Sequence, residues 1–336
     1  MRCAVARDRA DVPATGVRAR IAGFAAGSAL SQLIVALSIP VIARLYDPAV
    51  LGNFLIFDAY CDVLAFGATL ALDKALYVTR SHRGSRALIL ATVLSIGLVA
   101  ALGAGLFWVA VIAGLTTPGL AMAWLAIPCF LIVFARGAFY LLQSLSIRAD
   151  RFGAVVLAEN IRAGVIVLGR VGLGLQGFGL TGLVLTAVAG AGVSMAVLAR
   201  GQGHMLRCLF SRPALRLVPR VLARHRERIL FEGGGQFLRQ LPMRGPVFAV
   251  TIFYFAPGAG IYAIALLLTY RPAELVVRSV TEVFRAAMAR NLRAGQQDTA
   301  ATRGKMLLWR LYVAAVASAA AMGLAVYLTE GWLFPP

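Results

Sequence analysis

Nine stretches of about 20 predominantly apolar residues divide this chain, at 21–43, 51–76, 87–112, 120–142, 155–171, 177–199, 229–254, 260–283 and 306–328. Runs of this length match the hydrocarbon thickness of a bilayer when coiled as helices. Helices also satisfy their own backbone groups where no water can. Composition closes off the alternative: 60% of the 336 residues are hydrophobic and 14% charged, whereas soluble domains run about 45–50% apolar and about 25% charged. The expectation is an all-α polytopic membrane protein of about nine transmembrane helices.

The charge of +19 is distributed in a way that reinforces this reading. A nucleic-acid binder would spread its arginines over polar surface, but here they sit between apolar runs. Of the 33 Lys and Arg, 24 fall in the N-terminal segment and in loops 80–86, 148–151, 200–228 and 285–310. The alternate loops hold Arg44 alone. By the positive-inside rule the N-terminus is cytoplasmic and the chain leaves the last span on the outer side. The organisation expected is a basic cytoplasmic segment at 1–20, a six-helix lobe at 21–199, a basic cytoplasmic connection at 200–228, and an incomplete three-helix lobe at 229–336. The apolar run after the N-terminal segment is full-length and lacks a cleavage pattern, so it reads as a retained first helix.

Eight basic residues lie inside the spans: Lys74, Arg136, Arg162, Arg170, Arg239, Arg244, Arg271 and Arg278. Each costs about 2.5–3.5 kcal/mol at the centre of an isolated helix, so each should face protein, a partner charge or water. Lys74 and Arg170 are near span ends and can snorkel. Acids accompany several of the others at helical spacing. Glu159 precedes Arg162 by one turn; Arg271, Glu274, Arg278 and Glu282 form one stripe; Asp58 and Asp62 are a like-charged pair at i, i+4. Gln236, Arg239, Gln240, Met243 and Arg244 are placed on one face of span 7. These stripes predict a wet central cavity in which arginine exceeds acid.

The chain also resembles itself. At an offset of 208 residues Gly27 pairs with Gly235, Gln32 with Gln240, Leu33 with Leu241, Tyr46 with Tyr254 and Gly52 with Gly260. Spans 1–2 and 7–8 read as one hairpin used twice, in the parallel arrangement about an axis along the membrane normal. A second lobe as long as the first would extend beyond Pro336, so the chain reads as about three helices short of a twelve-span design.

Cys3, Cys61, Cys129 and Cys208 have no metal-ligand spacing and no place in an outward loop, so no disulfide is expected. His82, His204 and His225 fall in basic loops. No outward loop carries paired carboxylates, a Ser/His grouping or a metal-ligand cluster, which argues against an enzyme.

Three segments carry a family resemblance: Gly27-Ser-Ala-Leu-Ser-Gln32, Ala43-Arg44-Leu45-Tyr46-Asp47-Pro48 and Leu51-Gly52-Asn53-Phe54. Together they resemble the first hairpin of bacterial polysaccharide flippases. These are the O-antigen translocases of the polysaccharide transporter family, in the superfamily that also holds multidrug and toxin extruders. Residues 71–77, Phe139-Tyr140 with Arg148–Phe152, and 254–262 extend the likeness. The turn is one residue longer between Pro48 and Gly52 than the commoner form; the family usually has twelve or more spans in two lobes, and against that pattern this sequence reads as three short.

The resemblance implies a flippase that carries undecaprenyl-diphosphate-linked oligosaccharide from the cytoplasmic to the outer leaflet of the inner membrane. Arginine forks onto phosphate oxygens, so Arg136, Arg162, Arg239, Arg244, Arg271 and Arg278 are candidates for the diphosphate. Asp58, Asp62, Glu159 and Glu274 are candidates for a coupling H+ or Na+, with no other cofactor and no metal expected. Pro242 and Pro246, with the Gly233-Gly234-Gly235 run, are a candidate gate in span 7. The expected partners are the lipid-linked sugar, membrane lipids and other polysaccharide-assembly membrane proteins, with no nucleic acid. Two alternatives stay open: a truncated, non-transporting remnant or accessory subunit, and a multidrug exporter. The abundance of arginine in the spans argues against the latter.

Overall fold

The computed structural model describes residues 27, 30–31, 34–35, 37–76, 82–116, 118–149, 151–202, 212–224, 226–240, 242, 244–255, 257–262, 265, 309, 313 and 316. Among these residues the chain is helical and has no strand. Two compact units are distinguished: Ser31–Leu268, and Met1–Leu30 with Thr269–Pro336. In the latter, Trp309, Val313 and Val316 are helical positions with exposed apolar side chains.

Five described helices are long and apolar enough to cross a membrane: Pro48–Ala75, Gly84–Ile112, Ala123–Arg148, Phe152–Leu175 and Gly179–Arg200. They coincide with the second to sixth runs of the sequence, with ends moved by a few residues. The seventh is represented by a shorter apolar helix, Arg244–Phe255. The runs at 260–283 and 306–328 lie almost entirely outside the described residues.

Helix α1 occupies 37–45. Asp47 ends the turn that follows, its Oδ1 accepting the Ala49 amide at 2.9 Å, and Pro48 takes the first helical position of α2 (Pro48–Ala68). The sequence reads as one run through 51–76, but α2 stops at Ala68. Leu70 and Ala71 are both left-handed, at φ 48° and 56°, before the short α3 (Leu72–Ala75). Left-handed backbone at non-glycine residues costs of order 1–3 kcal/mol each and persists only where the surroundings impose it.

The bundle continues through α4 (His82–Ile112), α5 (Ala126–Arg148), α6 (Phe152–Leu175) and α7 (Gly179–Arg200). Helix α5 packs on α4 and α7, α6 on α7, and α2 on α4 and α5. One apolar core gathers Phe54, Phe57, Phe107, Leu125, Ile132 and Leu183; a second gathers Leu72, Leu76, Leu88, Ile96, Leu141 and Leu145. On the opposite side of α4 an exposed ladder of Leu94, Leu98, Leu102 and Leu106 runs at every fourth residue. Water would penalise such a stripe and lipid does not.

In helix α8 (Arg212–Arg224), Val218 is buried against the second core, with Val221 and Leu222 packed beside it. Helix α9 spans 226–255 in its described residues and begins irregularly, with a π-helical turn over Ile229–Gly233. It runs antiparallel to α2. Gly233 abuts the Leu70 carbonyl, where an added Cβ would lie 3.3 Å away; Phe237 lies over Gly67; Arg244 reaches Asp62. Just beyond α9, Gly260 in the short helix α10 (257–262) presses on the Pro48 carbonyl so closely that a Cβ there would collide with it.

Candidate functional site: an intramembrane arginine–aspartate cluster

The 3.6-residue period of α2 places Asp58 and Asp62 on one face, one turn apart. Arg136 of α5 meets both. Its Nη2 donates to Asp58 Oδ1 at 2.6 Å and its Nη1 donates to Asp62 Oδ1. Arg244 of α9 donates through Nη2 to the other oxygen, Asp62 Oδ2. One carboxylate is therefore held between guanidinium groups from two helices that are 108 residues apart in sequence between Arg136 and Arg244. All four side chains are less than a quarter exposed. Two positive and two negative charges balance, as burial in a medium of low dielectric demands.

Around this quartet lies a partly aromatic wall. Tyr140, one turn after Arg136, packs its ring against Phe66 with centroids 4.8 Å apart and sits in the field of Asp62, Arg136, Arg162 and Arg244. Arg162 of α6 stands over the Phe139 ring at 5.6 Å, a cation–π contact. Glu159, one turn before it, is 4% exposed and receives Gln143 Nε2 at 3.5 Å. Below the quartet the thiols of Cys61 and Cys129 touch at 3.8 Å, buried and reduced.

The candidate residues of the sequence are thus sorted by the fold. Arg136, Arg162, Arg244, Asp58, Asp62 and Glu159 come together on α2, α5, α6 and α9. Arg239 is exposed, whereas Arg244 is partly buried. The buried stripe of α9 is Gly233, Gln236, Gln240 and Val247, with Arg244 half-buried on it. Gln236 Nε2 on that stripe is buried and has no hydrogen-bond acceptor among the described residues. Pro242 and Pro246 occupy helical positions, and the departure from α-helical geometry in α9 lies earlier, at Ile229–Gly233. Arg271, Arg278 and Glu274 lie outside the described residues.

Two basic residues near span ends behave differently. Lys74 is exposed. Arg170 stacks on Phe54 at 4.8 Å, and its carbonyl accepts the Tyr46 hydroxyl at 2.8 Å. Burial pushes the Tyr46 phenol above the ordinary tyrosine range, against the opposing pull of Arg170. This contact ties the α1–α2 turn to the far end of α6.

Tyr140 and Gln143 carry no candidate role in the sequence reading, although both sit at helical spacing from Arg136, at i+4 and i+7. That spacing is the signal that would have found them. Among the described residues no group of three or more His, Cys, Asp or Glu is placed to hold a metal ion. No family model, curated protein or solved structure matches the chain.

Proposed function

We propose that the chain is a lipid-linked oligosaccharide flippase of the bacterial inner membrane. It would take undecaprenyl-diphosphate-linked sugar from the cytoplasmic leaflet and release it outside by alternating access. The observation that carries this reading is the buried Asp62 carboxylate shared by Arg136 and Arg244. An anion held between two guanidinium forks occupies the kind of place that a phosphate of the headgroup would take. In this mechanism the incoming diphosphate displaces Asp62 from Arg244. Loss of that link frees α9 from α2, and Arg162 and the unsatisfied Gln236 amide add donors along the path. Asp58 stays with Arg136 and limits the charge left uncompensated.

The repeat at an offset of 208 residues supports two lobes that rock about a membrane-normal axis, because its equivalent glycines, Gly52 and Gly260, meet at the α2–α10 contact. The N-terminus would be cytoplasmic, nine spans would cross the bilayer, and no enzymatic step would be involved.

Complementation of a flippase-deficient strain tests the proposal. The wild-type chain should restore surface glycan, and Arg244→Gln should abolish it at equal membrane abundance. Arg244→Lys should restore it only in part, since an ammonium keeps the charge but loses the fork. Failure of the wild type to complement, with the chain correctly inserted and the cognate glycan supplied, overturns the assignment.

A further inference from the structure

A third acid on the same strand of sequence has no part in the cluster above. Asp73 lies in α3, just past the left-handed pair Leu70–Ala71, and is 8% exposed among Leu72, Leu76, Leu141 and Leu145. Its Oδ2 accepts the Ser144 hydroxyl at 3.2 Å; the Thr69 hydroxyl and the Lys74 amide also engage the carboxylate. Its Oδ1 is buried and, among the described residues, accepts no hydrogen bond. The neighbouring Lys74 acts on the carboxylate through its charge. The Lys74 side chain is exposed, and Arg148 Nη1 donates to the Leu76 carbonyl at 2.7 Å and to Ser85 Oγ at 3.3 Å.

A buried carboxylate met by hydroxyls rather than by guanidinium groups is a costly thing to place at an apolar packing site. The backbone beside it is interrupted at two consecutive non-glycine residues, a second cost at the same place. In membrane transporters, breaks in helices bring unwound backbone carbonyls and helix C-terminal ends to small cations, and here an acid and hydroxyls lie at such a break.

We propose that Asp73, Ser144 and Thr69, at the break between α2 and α3, form a binding site for sodium. The carboxylate supplies the charge and its unused Oδ1 a free ligand atom, with the two hydroxyl oxygens beside it. A hard monovalent cation suits an all-oxygen set with a single negative charge, and its binding would neutralise Asp73. The site is also placed to be felt by α9, since the Leu70 carbonyl of the same break abuts Gly233 in the π-helical turn.

The proposal is tested on the purified full chain in detergent, with sodium chloride against choline chloride at equal ionic strength and constant pH. Sodium should raise the apparent melting temperature by about 4 °C at saturation, as a ligand that binds only the folded state does. Asp73→Asn should remove the response. Ser144→Ala, which keeps the carboxylate, should weaken apparent sodium affinity about tenfold. Binding of radiolabelled sodium to the wild type covers the case in which Asp73→Asn fails to fold. Absence of a sodium response in the wild type overturns the site. So does a response that survives Asp73→Asn, or stabilisation by acid with none by sodium. No transport is measured, so failure here leaves the flippase reading untouched, and failure to complement leaves the sodium site untouched.

Discussion

Asp62 and Asp73 are eleven residues apart, both of them in the stretch 48–75, and they meet opposite surroundings. Asp62 lies within an unbroken helix and is gripped on both oxygens by arginines from α5 and α9. Asp73 lies beyond a break in the backbone and is met by hydroxyls, with one oxygen left over. The first acid holds arginines that would otherwise be intolerable in lipid. The second has no guanidinium on it among the described residues and is offset by the neighbouring Lys74 charge and by hydroxyls. An acid within a span thus has two uses, as a counter-ion for the protein's own cations or as a receptor for one from outside, and the neighbouring helix decides which.

The largest effect that separates the two acids is expected from truncation of the first. Asp62→Ala strips Arg244 of its partner and leaves Arg136 with Asp58 alone, so a buried guanidinium is stranded. Removing one member of a buried pair costs about 3–5 kcal/mol, and we expect a loss of about 3 kcal/mol or more in denaturation of the purified protein. Asp73→Ala should cost distinctly less, because no cation is stranded. A loss under about 1 kcal/mol for Asp62→Ala would mean that water already solvates both arginines, and the contrast would collapse.

Half of this contrast is legible in the sequence. The spacing of Asp58 and Asp62 announces a shared face, and each arginine inside an apolar run announces a need for a partner. Hydropathy also places α4 to α7 to within a few residues, because burial in lipid is a property of the run itself. Which acid meets which arginine is not local information: Arg244 reaches Asp62 across 182 residues. The break after Ala68 is still less visible. Thr69-Leu70-Ala71-Leu72 contains neither glycine nor proline, and Gly67 just before it is one glycine among many in these spans, so the run 51–76 does not single out the break. The left-handed turn there is imposed by packing, including the close approach of Gly233. Asp73 therefore reads in the sequence as an ordinary charge near a span end, and its burial becomes evident only in the fold. The same is true of Arg239, whose spacing from Gln236 and Gln240 suggests a shared face but which the bundle leaves exposed.

A double-mutant cycle sharpens the comparison at intermediate magnitude. Asp62→Asn and Arg244→Gln, separately and together, isolate the pairwise energy of that contact. For a buried, charge-assisted pair we expect coupling of about 1.5 kcal/mol or more. The matching cycle of Asp73→Asn with Ser144→Ala should give about 0.5–1 kcal/mol in sodium-free buffer, as for a hydrogen bond between a hydroxyl and a carboxylate that retains other partners. Equal couplings would show that Arg244 holds Asp62 no more firmly than the Ser144 hydroxyl holds Asp73, and that the arginine confers no special grip.

The smallest effect is the most discriminating. Asp73→Asn, measured without sodium, should change stability by no more than about 1 kcal/mol. The amide has nearly the same shape, its carbonyl oxygen can still accept the Ser144 hydroxyl, and its desolvation costs less than that of a carboxylate. No guanidinium loses a partner, so the penalty that dominates at Asp62 has no counterpart. What the amide cannot do is neutralise a cation, so the difference between wild type and variant should widen as sodium is added, with the wild type gaining and the variant unchanged. A loss of about 3 kcal/mol in sodium-free buffer would instead identify Asp73 as a structural counter-ion like Asp62. The two acids would then differ in the partner they hold and not in what they are for.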